Sequence, residues 1–115
     1  VILMPLEKLC DVSEIPVNGV RTFKIEGLDI AVFNVNGAFY AINRLCTHMR
    51  GNLAKGVLEG KTVKCPLHGA SYDLETGKLI EPAGTIAGKL KKASNTKVYP
   101  VEIEKDVLFV ETTPK

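Results

Sequence analysis

No helix-length segment of the sequence holds an apolar period of 3.6. Short runs rich in β-branched and aromatic residues recur instead, each closed by Gly, Asn, Asp or Pro. A chain patterned this way cannot bury an amphipathic helix face and has to build its core from strands, so the expected class is all-β. Val20 to Glu26 reads as a strand, turned by Gly27 with Leu28 and Asp29 into a second strand from Ile30 to Val35. Asn36-Gly37 marks a tight hairpin, because both central positions of a type I′ turn need positive φ, and Phe39 to Asn43 returns as the third strand. Near the C-terminus, Lys97 to Glu104 and Val107 to Glu111 form a second hairpin around Lys105-Asp106. Pro100 cannot donate to a ladder, which marks its flank as an edge.

Between these hairpins, Arg44 to Gly84 behaves differently. Gly51, Gly56, Gly60, Gly69, Gly77 and Gly84, with Pro66 and Pro82, allow only short strands and many loops. This gives an expected base of 1–43 and 85–115 carrying an inserted unit at 44–84, within one domain, since 115 residues leave no room for a separate catalytic domain. Fifteen basic residues against 13 acidic ones are too balanced for a phosphate-backbone binder. The apolar run Val1 to Met4 is broken by Pro5 and is too short for a membrane span or a signal-peptide core, so the chain reads as soluble, cytoplasmic and monomeric. The lysines at 89, 91, 92 and 97 read as a solvated loop.

Three cysteines and two histidines are the scarce residues, and an odd cysteine count excludes a fully paired disulfide framework. Four of these five residues fall into Cys46-Thr47-His48, sixteen residues, then Cys65-Pro66-Leu67-His68-Gly69. Two thiolates and two imidazoles suit a tetrahedral zinc site or a cluster of mixed nitrogen and sulfur ligation. Zinc fingers pair Cys with Cys, and His with His on a helix, whereas here each loop supplies one of each. A structural zinc module therefore remains the weaker alternative. A Cys-His catalytic pair would leave the second pair unexplained. Cys10 has no His near it and reads as a small buried hydrophobe.

The C-x-H and C-x-x-H-G spacing resembles that of Rieske-type [2Fe-2S] proteins, and the chain looks like a soluble Rieske-type ferredoxin. The resemblance implies an antiparallel β-sandwich or barrel-like base with an inserted cluster-binding subdomain. It further implies that Cys46 and Cys65 hold the inner iron while His48 and His68 hold the outer one near solvent. Gly51, Gly69, Tyr72 and Pro82 take supporting places: the two glycines for close backbone approach, Tyr72 as donor to a ligand sulfur, and Pro82-Ala83-Gly84 as the loop over the cluster. The implied activity is one-electron transfer without bond chemistry, between a flavin reductase and an oxygenase or respiratory component. A small Rieske subunit of a larger oxygenase or nitrite reductase is the alternative of the same kind. Met49, Arg50 and Leu67 should surround the histidines, with Met49 and Leu67 as an apolar docking rim.

Neutral imidazoles in place of two thiolates remove two negative charges, so an electron is added more easily. Such proteins span about −150 to +300 mV, against about −400 mV for all-Cys plant-type ferredoxins. High-potential relatives carry two further cysteines, forming a loop disulfide, where this chain has Gly51 and Leu67, and a serine donor to sulfide where it has Ala70. Fewer donors to sulfur stabilise the reduced state less. The expected midpoint is below about +100 mV, measurable by protein-film voltammetry; a value well above this contradicts the reading of positions 51, 67 and 70. Ala70→Ser should raise the midpoint by some tens of millivolts (about 1 kcal/mol of hydrogen bonding), and an unchanged value would mean that the hydroxyl reaches no sulfide.

Overall fold

The computed structural model describes residues 6–47, 51–67, 69–82 and 94–112. Eleven strands run through them: β1 Leu6–Asp11, β2 Val20–Ile25, β3 Leu28–Val35, β4 Ala38–Asn43, β5 Val57–Glu59, β6 Thr62–Lys64, β7 Ser71–Asp73, β8 Leu79–Glu81, β9 Val98–Tyr99, β10 Val101–Glu104 and β11 Val107–Glu111. All pairings between these strands are antiparallel, in three sheets ordered β1-β11-β10, β2-β3-β4-β9 and β5-β6-β7-β8. The only helical turns among the described residues are two short 3-10 segments, Val12–Glu14 and Leu53–Lys55. The all-β expectation holds, and no helix among these residues is long and apolar enough to cross a membrane.

β3 is the centre of the protein because the last six of its eight residues are buried. Successive side chains of a strand point to opposite faces, and here both faces are covered. Ile30 and Val32 pack with Cys10, Ile15, Leu108 and Val110, beneath the β1-β11-β10 sheet. Ala31, Phe33 and Val35 pack with Leu53, Val63, Tyr72 and Leu74 of the β5–β8 region. The middle sheet is thus the shared floor of two cores, which explains the nearly uninterrupted apolar sequence of this strand. Cys10 is 5% exposed within the first core, the small buried hydrophobe expected of it, and burial pushes its thiol pKa up.

The local sequence signals place most turns correctly. Asn36 and Gly37 have φ of 51° and 93°, and Lys105 and Asp106 of 49° and 65°. The turn before β3 needs correction: Glu26 and Gly27 are its central residues, with φ of 50° and 80°, while Leu28 and Asp29 already pair with β2. The expected strand Lys97 to Glu104 is two strands. Pro100 interrupts it, and the chain leaves the middle sheet, where β9 pairs with β4, for the outer sheet, where β10 pairs with β11. Both pieces are edges, as the proline required. β1 has no counterpart in the sequence reading. Its register shifts between Lys8 and Cys10 and only Cys10 is buried, so its alternation is broken where a period of two would reveal it.

Because Ile30 is fully buried on the face toward β11, Ile30→Ala should lower the unfolding free energy by about 2–5 kcal/mol, measured by chemical denaturation. A loss under about 1 kcal/mol would show that this face of β3 is not packed as described.

Candidate metal centre

The loop carrying Cys46 leaves β4 under tight control. Arg44 donates through Nε and Nη2 to both carboxylate oxygens of Asp29, at 2.7 and 2.6 Å, and its backbone N–H bonds the Asp29 carbonyl at 2.9 Å. This two-pronged geometry fixes direction as well as distance, and it raises the guanidinium pKa further. The loop then folds back on itself. Leu45 and Asn52 form an isolated bridge, and the Cys46 N–H donates to the Gly51 carbonyl at 2.8 Å. The Asn52 side chain accepts from Ala54 N–H to open the 3-10 turn, which seats fully buried Leu53 in the core.

The second loop is a hairpin end between β6 and β7. The Cys65 N–H donates to the Ala70 carbonyl at 2.7 Å, and Gly69, at φ 82°, donates back to the Cys65 carbonyl at 3.2 Å. The positive φ of Gly69 is what allows the chain to turn within so few residues.

The two loops meet at Gly51. A Cβ there would lie 2.6 Å from Cys65 Sγ and 3.2 Å from Leu67 Cγ and Cδ1, so no side chain fits between them. The expected close approach at Gly51 is therefore real, and positions 51 and 67 are neighbours in space. Cys46 and Cys65 are 2% and 4% exposed and share one buried cluster with Ala70, Tyr72 and Val63. Neither is in a disulfide, which is compatible with the absence of a loop disulfide.

Tyr72, on β7, places its hydroxyl 3.2 Å from Cys46 Sγ, the contact expected of it. Burial first, and the neighbouring Cys46 second, push its pKa up to about 12, so the phenol keeps its proton as a donor at neutral pH. Its oxygen also lies 2.7 Å from Thr47 Oγ1. Thr47 donates to the Ser94 carbonyl at 2.8 Å and accepts from the Ser94 N–H at 2.9 Å. The segment after Ser94 is tied down as well: Asn95 Oδ1 accepts from Leu79 N–H, and Thr96 N–H donates to the Gly77 carbonyl.

Of the expected residues, the structure brings together Cys46, Gly51, Cys65, Gly69 and Tyr72. Leu67 is 56% exposed, as a docking rim requires. Pro82 is exposed directly after β8. His48, His68, Met49, Arg50, Ala83, Gly84 and the lysines at 89, 91 and 92 lie outside the described residues. Sequence reasoning gave no role to Thr47, Arg44, Asp29 or Ser94. Thr47 sits inside the motif but is polar and common, and nothing in the sequence links positions 29 and 44.

Two buried sulfurs on facing loops, one with a hydroxyl donor and the other with backbone pressed to within a Cβ's width, fit a group held by two thiolates from one side. Protein comparisons identify that group. Residues 6–100 match the Rieske [2Fe-2S] domain. Over 91 residues the chain is 37% identical to the ferredoxin component of a naphthalene 1,2-dioxygenase system from Pseudomonas aeruginosa, covering 79% of this chain and 80% of that protein. Over 103 residues it is 36% identical to a 3-phenylpropionate/cinnamic acid dioxygenase ferredoxin subunit from Shigella flexneri, covering 89% of each. Among solved structures, a chain of the complex of reduced oxygenase and oxidized ferredoxin in carbazole 1,9a-dioxygenase superimposes with a TM-score of 0.82 at 26% identity, over 98% of both chains. The Sphingomonas yanoikuyae B1 ferredoxin does so at 0.78 and 28%, over 94% of this chain and 99% of that one. The choice between zinc and an iron–sulfur cluster is thereby resolved in favour of the cluster: the chain belongs to the Rieske [2Fe-2S] domain family and is an iron–sulfur electron carrier.

Proposed function

We propose that Cys46 and Cys65 bind the inner iron, that His48 and His68 bind the outer iron, and that the chain is a freely diffusing, cytoplasmic monomer delivering single electrons from a flavin reductase to an oxygenase. The base at 1–43 and 85–115 carries the ligand loops of 44–84. The observation that carries this reading is the apposition of the two buried cysteine sulfurs across Gly51, with Tyr72 Oη on Cys46 Sγ. The partner assignment is supported by relatives named as ferredoxin components of dioxygenase systems.

When bound, such a cluster accepts and returns one electron at a time. The chain's own residues set the conditions. Cys46 and Cys65 are kept from water by Val63, Tyr72, Leu74 and Leu53, so added charge is felt in a medium that screens poorly. Tyr72 offers its proton to sulfur, while fully buried Ala70 offers none. Leu67 presents an apolar side chain beside the ligand loops, where a partner can dock and exclude water.

Purified protein should hold about two iron and two sulfide per chain, and Gly51→Ala should weaken metal binding by about 10–100-fold, since its methyl would displace Cys65 Sγ. Iron and sulfide analysis checks both; full loading of Gly51→Ala would mean that the loops do not need this contact. Partner identity is checked by reconstitution: added to the reductase and oxygenase components of a naphthalene 1,2-dioxygenase system, the chain should restore product formation that those two lack without a ferredoxin. No restoration there or with any other dioxygenase system would overturn the oxygenase assignment.

A further inference from the structure

Thr47 lies in the first ligand loop but is not among the proposed ligands, and its hydroxyl is engaged on three sides. Tyr72 Oη is 2.7 Å away, the Ser94 carbonyl 2.8 Å, and the Ser94 N–H donates to it at 2.9 Å. A hydroxyl has one proton to give. Tyr72 also has one, and two neighbours to receive it: Thr47 Oγ1 and Cys46 Sγ. Two protons therefore serve three gaps, and only two arrangements fill the short gap between Tyr72 and Thr47. In the first, Tyr72 donates to Thr47, Thr47 donates to the Ser94 carbonyl, and the sulfur receives nothing from Tyr72. In the second, Thr47 donates to Tyr72, and Tyr72 donates to the sulfur. A cysteine sulfur bound to iron is a thiolate, an acceptor only. This selects the second arrangement.

Resting on the ligand assignment above, we propose that Thr47 is a positioning residue for the cluster: by donating to Tyr72 Oη it turns the tyrosine proton onto Cys46 Sγ. Three donors then run in one direction, from Ser94 N–H to Thr47, from Thr47 to Tyr72, and from Tyr72 to the sulfur. Each bond polarises the next, so the chain responds to negative charge on the sulfur more strongly than an isolated phenol would. Ser94 is held ready for this by its neighbours, through Asn95 on Leu79 and Thr96 on Gly77. The backbone of a segment distant in sequence from the ligand motif thereby helps set how readily the centre accepts an electron.

The test uses the loaded protein, with iron and sulfide quantified first in the wild type; their absence there defeats the ligand assignment and leaves no bearing on Thr47. Midpoint potentials are then compared for wild type, Thr47→Val, Tyr72→Phe and the double variant. Thr47→Val should shift the midpoint down, Thr47→Ser should restore it, and the double variant should fall no lower than Tyr72→Phe alone. An equal Thr47→Val shift in the Tyr72→Phe background, or no shift, would overturn the proposal, because the threonine would then not act through the tyrosine. So would a Thr47→Val chain that fails to load while Tyr72→Phe loads fully. A second readout requires no change at Tyr72: the resonance Raman iron–sulfur stretch should shift in deuterated solvent, and Thr47→Val should diminish that shift. An isotope shift that survives unchanged contradicts the relay.

Discussion

The two ligand loops can share one centre only because residue 51 has no side chain. The glycine puts bare backbone against Cys65 Sγ and the side chain of Leu67, and its carbonyl holds the Cys46 N–H, so the same residue closes the first loop and seats it on the second. The rest of the molecule can be seen as the means of holding this contact in place. Arg44 and Asp29 aim the first loop as it leaves the middle sheet, Leu53 plugs its return into the core, and the hairpin end closed by Ala70 and Gly69 presents the second cysteine.

β3 gives these loops a rigid base. Its alternate residues belong to two separate cores, so a disturbance on the face toward β11 is felt on the face toward the cysteines through the same backbone. A site built over such a doubly buried strand is less able to drift than one on an exposed sheet. The same architecture leaves few polar groups near the sulfurs, and so gives the hydroxyls of Tyr72 and Thr47 an influence that they would lack in water.

Much of this was legible in the residues. The four-residue ligand pattern, the two hairpins with positive φ at Asn36-Gly37 and Lys105-Asp106, and the edge character imposed by Pro100 all follow from local chemistry. What the sequence concealed depends on contacts between distant segments. β1 carries a bulge that hides its period, and it earns strand status only by pairing with β11. The division of Lys97 to Glu104 at Pro100 reflects two sheets competing for one stretch of chain, and no local propensity announces which sheet takes which half. Thr47 read as filler between Cys46 and His48, because its meaning lies in Ser94, which only the fold brings near.

The central claim is that sulfur from Cys46 and Cys65 and nitrogen from His48 and His68 share one binuclear iron centre. Electron–nuclear double resonance on the reduced protein tests it most directly. The account predicts two distinct nitrogen couplings from directly bound imidazoles, with one lost in His48→Cys and the other in His68→Cys. A spectrum with no strong nitrogen coupling, or one unchanged by either substitution, would contradict it.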